Sequence, residues 1–342
     1  MIAKLDSMVD RLVEFQANVR RLLIDSRGKA SLDAVERDAE ADTIYRIDTV
    51  VEPLLEEFCR DWSRSTPLIL IAEGMRDETG REGPRTFPAG YPAEKCPIRV
   101  IIDPIDGTRC LMYDKRSAWA LAGVAPNRGD GTRLADIEAA VMTELPTSKM
   151  GLADVLWATK GGGAHGHRVD LANGERKPLT LSPSQADGIE HGFAMLASFF
   201  PGTKGLAGEI MDELAALAVR RPDASASSPM PMVFDDQYIS TGGQFYELIV
   251  GHDRFNADLR PLLYNILGRP LALCTHPYDC ASMLIATEAG IELTDGLGHP
   301  LDAPLDTTTP IAWAGFANAK LRARIEPILT GLMRRRLGRI AR

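Results

Sequence analysis

The sequence predicts an α+β fold, and three observations carry that prediction. The middle of the chain strings together short apolar runs at 67–72, 98–103, 117–125, 137–145 and 154–159, each of strand length and set off by turn residues. On either side lie longer segments whose apolar residues recur every three or four positions, the period of a helix. The third observation is bulk: 342 residues, 45% hydrophobic and 25% charged, suffice for a large core and are ordinary for a globular protein. A chain of this length divides into two subdomains, and the stretch 183–189 is the best boundary, giving 1–185 and 186–342.

The elements follow in order. Met1 to Leu23 carries Ile2, Leu5, Met8, Val9, Leu12, Val13, Val19 and Leu22 among charges, which reads as an amphipathic helix and not a signal peptide. Val50, Val51, Leu54, Leu55 and Phe58 form a second helical face. Leu68 to Ala72 and Arg99 to Ile102 are buried-strand runs, and Pro104, which cannot donate to a ladder, is expected to stop the second. Gly129-Asp130-Gly131 and Asn173-Gly174 mark turns. Lys177 to Ser182 crosses into the second half, which holds helices near 205–220 and 244–251 and a Pro-, Ser- and Ala-rich loop at 222–232. A helix opens at Pro277-Tyr278-Asp279 and closes at Gly290, and a last strand-helix unit spans Ile311 to Leu332.

The stretch Asp103-Pro104-Ile105-Asp106-Gly107-Thr108 carries the chemistry. It sets two carboxylates at the carboxyl end of a buried strand, beside backbone N–H groups left free by a turn or helix start, a place to hold hard cations against a phosphate. By itself D-P-x-D equally describes a turn with two solvated acids. Glu73 also ends a strand run, Asp279 opens a helix, and Asp42 to Asp48 precedes one. Singly, Asp279 reads as a helix N-cap, Glu73 as a strand end in solvent and Asp48 as an exposed helix acid.

Together, and in this order, the acid-rich Asp42 to Asp48 segment, Glu73, D-P-x-D-G-T and Asp279 resemble the inositol monophosphatase family, in the superfamily that also holds fructose-1,6-bisphosphatases and bisphosphate nucleotidases. The resemblance covers most of the chain. It implies a layered α-β-α-β-α sandwich with the site between the halves, and a phosphomonoesterase acting on a small sugar, inositol or related phosphate through metal-activated water, without a covalent intermediate. Glu73, Asp103, the Ile105 carbonyl, Asp106 and Asp279 would hold Mg²⁺, two or three ions per site, with Li⁺ inhibitory. Asp48, Glu73 and Thr108 would act in catalysis, the Thr108 hydroxyl paired with Asp48 taking the proton of the attacking water. Asp106, Gly107 and Thr108, with Thr241, Gly242 and Gly243 of the Ser-Thr-Gly-Gly loop, would face the phosphate and substrate.

Three positions depart from the family pattern. Tyr45 stands where a Thr or Ser is usual, three residues before Asp48, and Gly74 replaces a second acid after Glu73. Ala272 stands where inositol phosphatases place a Glu seven residues before the helix Asp. A fructose-1,6-bisphosphatase, a bisphosphate nucleotidase and a non-catalytic sugar-phosphate-binding relative therefore stay open. Segments 76–97 and 190–240 are extra length suited to covering a substrate, and Arg76, Arg109, His252, Arg254, Arg260 and His276 are candidates for a second phosphate.

A net charge of −8 argues against nucleic acid as a partner, and the resemblance implies a small-molecule phosphate ester instead. Five scattered cysteines with no C-x-x-C spacing predict a reduced, cytoplasmic protein without a zinc site. No run approaches the roughly 20 apolar residues a membrane span needs, so no membrane is expected. The basic tail from Met333 to Arg339 reads as a solvated helix end. Only the resemblance speaks for a homodimer.

Overall fold

The computed structural model describes residues 2–27, 35–38, 43–75, 83–219 and 232–338. Two helices, α1 (Ile2–Ser26) and α2 (Arg46–Ser63), flank a small antiparallel pair, β1 (Val35–Asp38) and β2 (Thr43–Tyr45). An eight-stranded sheet follows: β3 (Leu68–Ala72), β4 (Arg85–Phe87), β5 (Ile98–Asp106), β6 (Ala118–Pro126), β7 (Ala139–Leu145), β8 (Leu152–Thr159), β9 (Ala164–Asp170) and β10 (Arg176–Pro178). The short helix α3 (Thr108–Met112) interrupts it after β5. The spatial order is β10-β9-β8-β7-β6-β5-β3-β4, antiparallel except for the β3–β5 pair. The second sheet, ordered β11-β12-β14-β13, is built from β11 (Phe193–Leu196), β12 (Asp253–Asp258), β13 (Glu292–Thr294) and β14 (Trp313–Phe316). Its helices are α4 (Lys204–Ala218), α5 (Thr241–Ile249), α6 (Arg260–Ile266), α7 (Met283–Glu288) and α8 (Ala319–Leu337).

The strand runs are apolar throughout because the large sheet is covered on both faces, and successive side chains enter different cores. Leu68, Leu70, Val100, Ile102, Ala120 and Ala122 pack beneath α1 and α2, with Leu12, Phe15, Val19 and Leu55. Their neighbours Ile69, Ile71, Ile101, Trp119 and Leu121 enter the opposite core with Phe245 and Leu248 of α5 and Ile285 of α7. The same core continues through Phe255, Ala257, Ala314 and Phe316 of the second sheet to Ile210, Leu214, Leu321 and Leu329 of α4 and α8. The layers are therefore α1/α2, large sheet, α5/α7, small sheet and α4/α8, the α-β-α-β-α sandwich expected. Among the described residues no helix is long and apolar enough to cross a membrane.

Three boundaries differ from the sequence expectation. Strand β5 does not stop at Pro104 but continues to Asp106, because an irregularity there leaves the proline without a ladder bond to make: Asp103 lies opposite Leu121 and Asp106 opposite Trp119. The helix expected to start at Asp279 starts at Met283. Asp279, Cys280 and Ala281 instead donate their N–H groups to the carbonyls of His276, Pro277 and Tyr278, three residues back, a tighter winding than the α-helix. Thr241 to Gly243 is not a loop but the first turn of α5, capped by Ser240, whose hydroxyl accepts the Gly243 N–H at 2.9 Å. The basic residues Arg334, Arg335 and Arg336 fall in the last turn of α8, where they face the negative end of the helix dipole. Arg76, most of the 222–232 loop and the final residues from Arg339 lie outside the described residues.

Gly123 of β6 lets the Asp279 segment seat on the sheet, since a Cβ there would lie 2.8 Å from the Ala281 carbonyl oxygen and 2.8 Å from Ile137 Cδ1. Gly123→Val is expected to cost about 1–3 kcal/mol of stability, read as a lower urea midpoint at unchanged slope. A wild-type midpoint would show that this contact does not constrain the segment.

Candidate active site and metal centre

Two acids three residues apart on a regular strand point to opposite faces, because side chains alternate. On β5 they do not: from Asp103 to Asp106 the strand advances three residues while its partner advances two, from Leu121 to Trp119. That one extra residue restores parity and turns both carboxylates to one side. Asp103 secures the bulge by accepting the Ile105 N–H at 2.9 Å, an Asx turn. Gly107 ends it at φ +94°, a left-handed conformation in which a Cβ would also press on Ile239 O and Ser240 Cβ at 3.0 Å.

The other acids arrive from separate elements. Glu73 follows β3 directly; β3 runs parallel to β5 with Ala72 beside Ile102, so Glu73 falls at the same sheet edge as Asp103. Asp279 sits in the tight turns before α7, where Oδ2 accepts the His276 N–H at 2.6 Å. One carboxylate oxygen from each of Asp103, Asp106 and Asp279 lies within 4.8 Å of the others. Asp103 is 1% and Asp106 5% exposed, so little water is at hand to spread their charge.

Asp106 is held by the start of α5. The Thr241 N–H reaches Oδ1 at 3.2 Å, while the Gly242 N–H at 2.6 Å and the Ser240 hydroxyl at 2.8 Å both donate to Oδ2. The helix N-terminus adds its positive end. Burial nevertheless dominates and pushes the Asp106 carboxyl up to about 6, against the lowering effect of the three hydrogen bonds. Gly242 is required by this approach: a Cβ would lie 2.5 Å from Leu121 Cδ2 and 3.0 Å from Asp106 Oδ2.

The small-residue turn expected to face substrate also supports Asp106: the amides of Thr241 and Gly242 go to Asp106, and that of Gly243 goes to Ser240. The Thr108 hydroxyl donates to the Ile105 carbonyl at 2.7 Å. Asp48 and Tyr45 lie in α2 and β2, with side chains outside the described residues.

One solvent-open cleft collects Glu73, Asp103, Ile105, Asp106, Gly107, Thr108, Thr241 and Asp279. Of the residues weighed for a second phosphate, Arg109 and Arg260 line it. His276 is buried beside Asp279, its Nδ1 3.9 Å from Asp279 Oδ2. His252 is engaged by Glu247 at 2.5 Å, and Arg254 donates to the carbonyls of Gly188 and Glu190. Sequence reasoning did not single out Phe199, Phe200, Gln244, Cys274 and Thr275, which also line it. The one signal was that both phenylalanines lie in the extra segment 190–240.

The donor set fits a hard divalent cation. It is all oxygen, and the carboxylates converge under low exposure, where without a cation they repel one another and take up protons.

No family model matches the chain, and no curated protein matches it. Solved structures do. An IMPase of Thermotoga maritima is 18% identical over 98% of this chain and 99% of its own, with a TM-score of 0.62. The extragenic suppressor protein suhB of Bartonella henselae is 15% identical over 94% and 98%, also at 0.62. Leishmania major fructose-1,6-bisphosphatase in holo form is 13% identical over 95% and 92%, at 0.62. Two sheets and three helical layers in the same arrangement over nearly the whole chain give this protein the fold of the inositol monophosphatase and fructose-1,6-bisphosphatase structures.

Proposed function

We propose that this chain is a Mg²⁺-dependent phosphomonoesterase acting on a small phosphate ester. The observation that carries the reading is the convergence of Asp103, Asp106 and Asp279 within 4.8 Å in a cleft that Glu73 also lines. The shared fold with structures named IMPase and fructose-1,6-bisphosphatase supports it.

Asp103, Asp106 and Asp279, with Glu73 and the Ile105 carbonyl, would hold the cation. When bound, Mg²⁺ supplies charge neutralisation for the phosphate and lowers the pKa of attacking water. The chain's own groups do the rest. Burial raises the Asp106 carboxyl only to about 6 against three opposing donors, so at neutral pH it keeps an anionic edge toward the cleft. The Gly107 and Thr108 amides, at the turn into α3, orient the phosphate oxygens. The Thr108 hydroxyl donates a hydrogen bond to Ile105 O, which orients its oxygen as an acceptor for a hydrogen bond from the attacking water. Nothing in this arrangement calls for a covalent phosphoenzyme. Gly74, at φ +64°, suits a left-handed turn immediately after Glu73, which gives the departure from a second acid a local backbone reason.

Phosphate release from a panel of phosphomonoesters, with and without Mg²⁺, tests the reading. Mg²⁺-dependent release is expected, with Asp103→Asn reducing it by at least about 100-fold while the fold is retained. Mg²⁺ binding without release from any ester would favour the sugar-phosphate-binding relative. Li⁺ is expected to inhibit release.

Protons compete with the cation at Asp106. Its carboxyl is pushed up to about 6, so folding binds this proton more tightly than the unfolded chain does. In the metal-free protein its contribution to stability is present below about pH 4 and is lost as pH rises through about 6. Cation binding reverses the balance at the upper end. The rise in melting temperature on adding Mg²⁺ is therefore expected to be larger at pH 7.5 than at pH 5.0, and an equal rise would remove Asp106 from the metal set. Gly242→Ala is expected to weaken Mg²⁺ binding about tenfold by displacing the amide that orients Asp106, as measured by calorimetry. Unaltered binding would show that this amide does not set the ligand geometry.

A further inference from the structure

The cleft has a second wall, and its chemistry is unlike that of the acids. Phe199 and Phe200, in the segment after β11, meet edge to face with ring centroids 5.4 Å apart and planes at 90°. Both are half-buried and line the cleft, together with Ile239, Leu273 and Cys274. The Arg109 guanidinium, one residue beyond Thr108, lies 5.6 Å from the Phe200 ring centre.

The polar groups on this side are already used. Arg260 is 5% exposed and its guanidinium forms a two-pronged pair with Asp258, with Nε at 2.9 Å from both carboxylate oxygens and Nη2 at 2.5 Å from Oδ2. Its Nη1 donates to the Leu273 carbonyl at 2.6 Å. The Thr275 hydroxyl donates to the same Asp258 at 2.8 Å. The Arg260 guanidinium carbon sits 4.8 Å from the Phe199 ring centre and 5.2 Å from that of Phe200. Arg260 is thus a fixed post beneath two rings and not a free cation for substrate.

A polyol pressed against such a wall would give up water for few partners, and each hydroxyl left unpaired is costly. A flat ring gains from it, because aromatic pairs attract edge to face or offset, and a guanidinium adds to the attraction. We infer that the cleft selects phosphate esters whose alcohol carries a flat aromatic group, seated on Phe199 and Phe200 beside Arg109, over sugar or inositol phosphates without one. This rests on the phosphomonoesterase reading and names its substrate class. Two sources share the chemistry: a purine or pyrimidine on ribose, and a simple aryl group.

Matched pairs isolate the ring. Adenosine 5′-monophosphate and ribose 5-phosphate have the same ester and sugar and differ in the base. Benzyl phosphate and cyclohexylmethyl phosphate differ in aromaticity at similar size. In the full chain with Mg²⁺, kcat/KM for phosphate release is expected to favour the aromatic member of at least one pair by about 5- to 100-fold. Preference in the first pair alone marks a nucleoside phosphate, and in the second alone an aryl ester. Phe200→Ala and the milder Phe200→Leu are each expected to bring the ratio toward one, with cooperative thermal melting confirming that they fold. Equal kcat/KM within both pairs, or a preference that survives Phe200→Ala and Phe199→Ala, would overturn the inference. If no ester is hydrolysed, the phosphatase reading fails by itself, and the inference is then read from binding. Calorimetry with adenosine 5′-monophosphate and ribose 5-phosphate in Mg²⁺ would uphold it where the nucleotide binds more tightly and Phe200→Ala removes the difference, and would overturn it where the two bind alike.

Discussion

Buried negative charge is the constraint around which this structure is arranged. Asp103 and Asp106 emerge from the end of a strand whose other residues are almost wholly apolar, and Asp279 is brought to them from another part of the chain. Such a cluster is unfavourable unless hydrogen bonds and a cation compensate it. The first requirement is geometric. One residue inserted in β5 turns two carboxylates, which strand alternation would send apart, into one cleft. Proline, without an N–H to leave unpaired, and glycine, free to take φ +94°, occupy the bulge and the turn beyond it.

The second requirement is electrostatic, and the start of α5 meets it. Two backbone amides and a serine hydroxyl converge on Asp106, and the absence of a side chain at Gly242 lets the helix come close enough for them to do so. A turn that reads as a substrate loop is thus a support for Asp106. The same logic of close approach recurs at Gly123, where the bare backbone of β6 admits the tight turns that carry Asp279. Because α5 and α7 lie between the two sheets, the supports of Asp106 and Asp279 come from the middle layer of the sandwich.

The opposite wall divides the labour differently. Arg260 and Asp258 satisfy each other almost completely and hold Leu273, Thr275 and two phenylalanines in place. The cleft thus sets an anionic floor against an aromatic side, two surfaces of unlike chemistry on one opening.

The order of strands and helices was legible in the sequence because periodicity is a local property: an apolar run such as Leu68–Ala72 is a strand, and the spacing of Met8, Leu12 and Val19 a helix, whatever else the chain does. The acids were legible for a similar reason, since D-P-x-D-G-T places its carboxylates and turn residues within six positions. Boundaries at Pro104, Thr241 and Met283 were misjudged where a bulge, a cap and a tight turn outweighed pattern. What the sequence determined by itself is the element order and the identity of the acids. Only the tertiary structure decided which amides hold Asp106, from 135 and 136 residues away, and that Phe199, Phe200 and Arg260 form the facing wall. Those pairings depend on how the two sheets stack across a shared core, and no periodicity or spacing along the chain encodes a distance between residues brought together only by packing.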